Sequence, residues 1–170
     1  GGDTTLNYQY SNEPEDHLKQ LSTNLSNING QNFVLGRRVH HTDMGNGSHN
    51  GNVSENPNFS ALSNTLGPRY TNRSCVSCHQ KNGRALAGTA GTPLDKYSVF
   101  VGDSNGNPHP QLGRVFQAHS LNGNGEGTAT LSSWTEANGL RTPNYAFSGV
   151  TPSNFSARIA PQLVGMGLLE

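Results

Sequence analysis

Cys75-Val76-Ser77-Cys78-His79 constrains this chain more than any other stretch. Two thiols three residues apart on one helical turn can add to the two vinyl groups of a single porphyrin and leave the adjacent imidazole beneath the iron. Cys-x-x-Cys-His is accordingly the attachment signature of haem c. On this reading Cys75 and Cys78 anchor one covalent haem c and His79 is its proximal metal ligand. Two other chemistries compete. A structural zinc site needs four ligands, and the chain has no second cysteine pair. A redox dithiol of thioredoxin type calls for a preceding strand in a βαβ setting, whereas Leu66 to Ser74 is a loop containing Gly67 and Pro68.

The same two cysteines bear on the compartment. They are the only ones in 170 residues, so attachment of haem leaves no thiol for a disulfide. Covalent haem c is made outside the cytoplasmic membrane, which predicts a periplasmic or extracellular location. No apolar run approaches the roughly 20 residues that span a bilayer, so no membrane span is expected. The first residues show no basic segment followed by an apolar one, and a targeting peptide is expected to have been removed or to lie outside this sequence. Eleven basic residues balance eleven acidic ones, leaving no net field for nucleic acid or an anionic membrane. The hydrophobic fraction of 31% is thin for a chain of this length, and a buried porphyrin would supply much of the missing apolar core.

Along the chain, Asn12-Glu13-Pro14-Glu15-Asp16 resembles a helix start before His17, Leu18 and Leu21, and Asn32 to His41 has a partly apolar helical face. Residues 42–62, with Met44-Gly45-Asn46-Gly47-Ser48-His49-Asn50-Gly51, read as a surface-loop insertion. Leu86 to Thr92 is another loop of small residues. Strand signals are confined to the second half, where Thr128 to Thr135 and Leu140 to Phe147 flank Asn138-Gly139 and predict a β-hairpin insertion over 128–147. Pro143 lacks a backbone donor and places its strand at an edge or beside a ligand. Asp103-Ser104-Asn105-Gly106-Asn107 begins like an EF-hand loop, but Pro108 stands where glycine is needed and no glutamate closes the loop, so no such calcium site is expected.

Several pieces in a fixed order resemble the di-haem c-type oxidoreductases, a family of di-haem peroxidases and thiol oxidoreductase-like proteins distantly similar to bacterial cytochrome c peroxidases. They are Gly1-Gly2-Asp3-Thr4-Thr5, the Phe33 to Val39 helix, Leu66-Gly67-Pro68, Ser74 to His79 with Asn82-Gly83-Arg84, and Pro110-Gln111-Leu112-Gly113. Gly125-Glu126-Gly127, Leu140-Arg141-x-Pro143 with Tyr145, and Arg158-Ile159-Ala160-Pro161-x-Leu163-x-Gly165-x-Gly167-Leu168-Leu169-Glu170 complete the set. The resemblance covers most of the chain apart from Thr42 to Leu62. Family members are longer and carry a second Cys-x-x-Cys-His, so the resemblance implies the N-terminal haem half of such a protein. The apolar segment that closes at Glu170 is expected to continue into the remainder. Ala160-Pro161-x-Leu163-x-Gly165 also resembles the Gly-Pro-x-Leu-x-Gly element of small class I cytochromes c. That likeness implies that the Pro161 carbonyl accepts from His79 Nδ1 and that Leu163 packs on the haem face.

The sixth iron position decides what such a haem does: a sulfur or second imidazole there gives an electron carrier, and an open site permits peroxide or oxygen chemistry. The candidates are His40, His41, Met44, His49, His109, His119 and Met166, with His40, His41 and His119 best placed and Met166 discounted for its closeness to Pro161. Peroxide reduction needs a distal base and a polarising group. Glu126, Glu136, His119 and Gln117 are of the right types, and Glu126 is the catalytic candidate, although no spacing among them identifies a pair. Arg69, Arg73, Arg84, Arg141 and Arg158 are candidates to bind haem propionates in bidentate fashion, with Arg84 beside the haem motif. Trp134 is a candidate electron relay, or else a packing residue of the hairpin.

The expectation is therefore a single domain over 1–170, mainly α and loop, a cytochrome c-like haem domain with an inserted β-hairpin, the haem lying between the Cys75 to His79 turn and the Pro161 to Leu169 segment. Its expected function is electron transfer within a di-haem oxidoreductase, to a second haem domain or a redox partner protein, with peroxide reduction as a further activity. The alternatives are a non-catalytic single-haem carrier or assembly subunit, and a zinc or dithiol module that holds no haem.

Overall fold

A computed structural model of the chain describes residues 17–22, 25–51 and 53–164. The described residues fall into two compact units: residues up to 65 with 74–84 and those from 161 onward, and residues 66–73 with 85–160.

The first unit holds the only α-helix among the described residues, α1, Asn27–His41. It begins five residues before the sequence suggested, because Ser26 in an extended conformation caps it, its side chain accepting from the Asn29 amide at 3.3 Å. At the other end the Thr42 hydroxyl donates to the Arg38 carbonyl at 2.7 Å and its amide donates to the Val39 carbonyl. Thr42 is 1% exposed, so the residues just before it are fixed in direction. Short 3₁₀ turns make up the rest: His17–Lys19, Ser60–Leu62, Cys75–Ser77 and Gln80–Asn82. The described residues between 42 and 62 are held by turn chemistry. The Asp43 carboxylate accepts from the Gly45 amide at 2.7 Å, Asn46 accepts from the Ser48 amide at 2.9 Å, and Arg38 donates to the Pro57 and Asn58 carbonyls with its guanidinium 4.7 Å from the Phe59 ring centre. The expected helix start at 12–16 lies outside the described residues.

The second unit is all β. Its strands are β1 (Arg69–Tyr70), β2 (Thr92–Pro93), β3 (Tyr97–Gly102), β4 (His119–Ser120), β5 (Gly127–Ala137), β6 (Leu140–Gly149) and β7 (Asn154–Ile159). They pair antiparallel in three sheets, β1 with β4, β2-β5-β6, and β3 with β7. The β5–β6 hairpin turns at Asn138 and Gly139, whose φ angles of 51° and 74° suit a type I′ turn. Pro143 sits opposite Trp134 on β6, the edge of its sheet, where the missing amide interrupts no ladder. Gly127 at φ 138° has no room for a side chain, since a Cβ there would overlap the Ser148 carbonyl across the hairpin.

Tyr97, Val99 and Val101 alternate inward on β3 and join Leu94, Leu112, Phe116, Ala129 and Leu131 in a contiguous core. Phe147 meets Phe116 and Phe155 edge-on at 5.7 and 4.8 Å between ring centres, closing the core at its margin. The buried Tyr97 hydroxyl accepts from the Gly88 amide at 3.0 Å. Every buried hydrophobic side chain among the described residues belongs to this second unit, and the first unit's buried residues are Thr42, Gly47, Ser74 and Gly83.

The expected mainly α, cytochrome c-like architecture is therefore corrected: the described residues hold one helix, seven strands and three sheets. Strand signals were expected at the hairpin alone. Tyr97-Ser98-Val99-Phe100-Val101 carries the period-2 pattern of a half-buried strand, and it pairs with residues 155–159, more than fifty positions away. Local pattern does not specify such a partner, and without it neither segment forms a sheet.

Candidate haem-attachment site

The Cys75–Ser77 turn is short because its bonds close over three residues: the Cys78 amide donates to the Cys75 carbonyl at 3.2 Å, and the His79 amide shares that acceptor at 3.0 Å. One turn thus presents both thiols and the imidazole. Ser74 and Ser77 hydroxyls pair at 2.7 Å beneath it, and the Asn50 side chain reaches Ser74 at 3.4 Å, tying the turn to the loop after α1. Cys75 is exposed, Cys78 is half-buried, and the two are not joined in a disulfide.

His79 Nδ1 lies 2.7 Å from the Pro161 carbonyl oxygen. A carbonyl only accepts, so Nδ1 carries the proton and donates, and the lone pair of the neutral ring resides on Nε2. Segment 161–163 is held in register by a second bond, from the Leu163 amide to the Asn82 carbonyl at 2.8 Å. The structure therefore brings His79, Pro161 and Leu163 together around one turn, although only Pro161 touches the imidazole through a hydrogen bond. Arg84 is exposed in this unit. Gly165 to Glu170, including Met166, lie outside the described residues.

The sixth-ligand candidates separate by environment. His40, in the last turn of α1, has its ring centre 6.3 Å from that of His79. Both of its ring nitrogens are buried with no hydrogen-bond partner among the described residues. Burial, followed by the neighbouring His41, His79 and Arg37, lowers its pKa from 6.5 to about 4, so it is neutral at neutral pH with a lone pair to offer. His41 stacks on His49 at 5.1 Å between centres, and its ring also bonds the Asn50 backbone. His49 Nδ1 is buried without a hydrogen-bond partner among the described residues. The Met44 carbonyl accepts from the Thr65 amide at 3.0 Å. His109 and His119 belong to the second unit, where His109 Nδ1 accepts from the Gln111 and Leu112 amides and His119 stacks on Tyr70 at 5.5 Å. Sequence reasoning had no means of ranking His40 above its neighbours, because only the fold shows which imidazole meets His79.

Glu126, also in the second unit, has both carboxylate oxygens engaged. Oε2 accepts from the Gln117 amide at 2.7 Å and Oε1 pairs with Arg69 at 3.3 Å. Its side chain is 5% exposed, and its backbone bonds the Gln117 carbonyl and the Val150 amide. This is the arrangement of a side chain that locks strand ends together. Glu136 and Arg141 pair at 2.7 Å on the exposed face of the hairpin with the guanidinium 5.6 Å from the Trp134 ring centre, and Trp134 packs against the core. Arg158 lies 5.1 Å over the Phe100 ring and donates to Ser156.

Among the described residues no group of three or more His, Cys, Asp or Glu side chains is arranged to hold a metal ion unaided. A haem iron asks less of a protein, since the porphyrin fills four positions and one or two side chains complete it. The donor set fits that demand: two thiols and an imidazole on one turn, that imidazole oriented through Nδ1, and 6.3 Å from it between ring centres a second imidazole whose two nitrogens are buried with no hydrogen-bond partner among the described residues. No helix among the described residues is long and apolar enough to cross a membrane. Comparison with protein-family models, with curated proteins and with solved structures found no match.

Proposed function

We propose that this chain carries one covalent haem c on Cys75 and Cys78 with His79 as its proximal ligand, and that it exchanges electrons with a redox partner, either a second haem domain or a separate protein, outside the cytoplasmic membrane. The observation that carries the reading is the His79 imidazole beside both thiols with Nδ1 on the Pro161 carbonyl at 2.7 Å. That bond orients the ring, fixes the tautomer that leaves Nε2 for iron, and raises its basicity.

A second observation supports it. The first unit has no buried hydrophobic side chain among its described residues, while Val34 is 60% exposed and Leu35 is 51% exposed on α1. A folded unit of this size needs apolar area to remove from water, and a porphyrin offers a large rigid apolar disc. Bound haem supplies a one-electron redox couple. The chain's own residues supply attachment, orientation of the ring nitrogen and partial exclusion of water. The likeness to di-haem oxidoreductases fits this role as the electron-handling half of such a protein. Peroxide reduction belongs to the proposal only for a partner haem with an open iron, because Glu126, the leading candidate for a distal base, is already engaged on both oxygens and Glu136 is paired with Arg141.

The test is expression with a haem c maturation system followed by denaturing mass measurement and visible spectroscopy. The expected result is a haem adduct that survives denaturation and is lost in C75S/C78S. An unmodified mass with no Soret band, or stoichiometric zinc instead of haem, refutes the reading.

A further inference from the structure

The geometry points to His40 as the second axial ligand of the haem iron, trans to His79, so that this haem is six-coordinate and transfers electrons without binding substrate at its metal. The inference rests on the proposed haem attachment and goes beyond it, since attachment at Cys75 and Cys78 leaves the sixth position undefined.

Three observations carry it. The first is spacing. Two metal–nitrogen bonds of about 2.0–2.1 Å, each with its ring centre about 1.1 Å further back, separate the centres of two trans imidazoles by about 6.3 Å. The His40 and His79 centres are 6.3 Å apart, wider than the 5.3 Å of His40 and His41 or the 5.1 Å of His41 and His49. The 56° between the His40 and His79 planes is no obstacle, because each ring turns about its own metal–nitrogen bond.

The second is satisfaction. A ring nitrogen removed from water is expected to find a hydrogen-bond partner, and leaving it unmet is unfavourable. His40, partly buried in the last turn of α1, leaves both ring nitrogens buried and unmet among the described residues. A metal on one nitrogen would meet one of the two.

The third is rigidity. His40 does not ride on a loop. It sits in the last turn of α1, two residues before the buried and doubly bonded Thr42, and α1 packs against the Cys75–Ser77 turn. His79 is held independently by Pro161. The two imidazoles are thus fixed by separate anchors, as a low-reorganisation electron-transfer site requires.

The test uses the holoprotein. In the wild type we expect a low-spin ferric spectrum, a bis-imidazole low-spin EPR signal and a ferrous form that does not bind carbon monoxide. H40A should turn the ferric iron high-spin, gain carbon monoxide binding and recover the low-spin spectrum with added imidazole. H40M keeps a ligand of similar reach and should stay low-spin with a raised reduction potential, because thioether replaces imidazole. H41A and H49A should leave the wild-type spectrum in place. A wild type that carries covalent haem but is high-spin overturns the inference and leaves haem attachment standing, as does an H40A protein that remains low-spin. A wild type with no Soret band overturns both. Should H40A fail to accumulate, the wild-type EPR and carbon monoxide results decide the matter alone.

Discussion

Glu126 offers the sharpest separation of a structural from a chemical role. Its side chain is 5% exposed, its Oε2 takes the Gln117 amide at 2.7 Å, and its Oε1 meets Arg69 at 3.3 Å, with Arg69 itself 53% exposed. The amide bond is short and charge-assisted, and its loss strands a half-buried N–H, for about 1–3 kcal/mol. The ion pair is longer and one partner is well hydrated, which limits its contribution to about 1 kcal/mol or less. Glu126→Ala should therefore cost about 3 kcal/mol, Glu126→Gln about 1–2 kcal/mol because an amide oxygen can still accept from Gln117, and Arg69→Ala about 1 kcal/mol. Urea unfolding followed by the emission of Trp134, the only tryptophan and a member of the same unit, gives all three values. The reasoning is refuted if Arg69→Ala costs more than Glu126→Ala, which would make the ion pair the anchor. It is equally refuted if Glu126→Gln folds like the wild type yet loses a measurable peroxide turnover, which would restore the carboxylate to chemistry.

Three further outcomes follow from the same structure. Leu131, 1% exposed at the centre of the second unit's core, should cost about 2–5 kcal/mol on truncation to alanine, measured by the same unfolding curves. Asp103 accepts from the Asn107 amide at 2.8 Å and the Asn105 amide at 2.9 Å, and these bonds, that from Asn107 foremost, hold its carboxyl below the ordinary 3.8. A depressed carboxyl contributes its full stabilisation above 3.8 and loses it as the pH falls below that value, so D103N should flatten the acid limb of a melting-temperature profile and leave its neutral plateau lower. In C75S/C78S the first unit should become the preferred site of limited proteolysis, at residues 27–65, while Trp134 keeps its native emission; equal protection with and without haem would show that the porphyrin is not the missing core.

How legible was the fold? The β5–β6 hairpin was readable because everything that makes it is local: Asn138-Gly139 accepts the positive φ angles of its turn, the flanking residues favour strands, and Pro143 declares an edge. The helix ending at His41 was readable from its apolar spacing, and its start was missed because Asn27, Asn29 and Gly30 are poor helix formers that a serine cap overrides. The β3–β7 sheet was missed, and with it the fold class. Each strand's partner lies more than fifty residues away in the chain, and a haem motif drew the expectation toward helices.

The site divides in the same way. The proposed haem attachment rests on covalent neighbours alone, since two thiols and an imidazole lie within five residues of the sequence. The pairing of His79 with Pro161 was suggested by a short motif, and the contact at 2.7 Å brings together residues 82 positions apart. Which of the seven histidine and methionine candidates lies close to His79 was beyond the sequence, since His40 and His41 are adjacent in the chain yet one nears His79 and the other stacks on His49. Residue identity sets what a side chain can bind. Only the path of the backbone sets what it meets, because an imidazole's role depends on distances of a few ångströms that turns, caps and strand registers jointly decide.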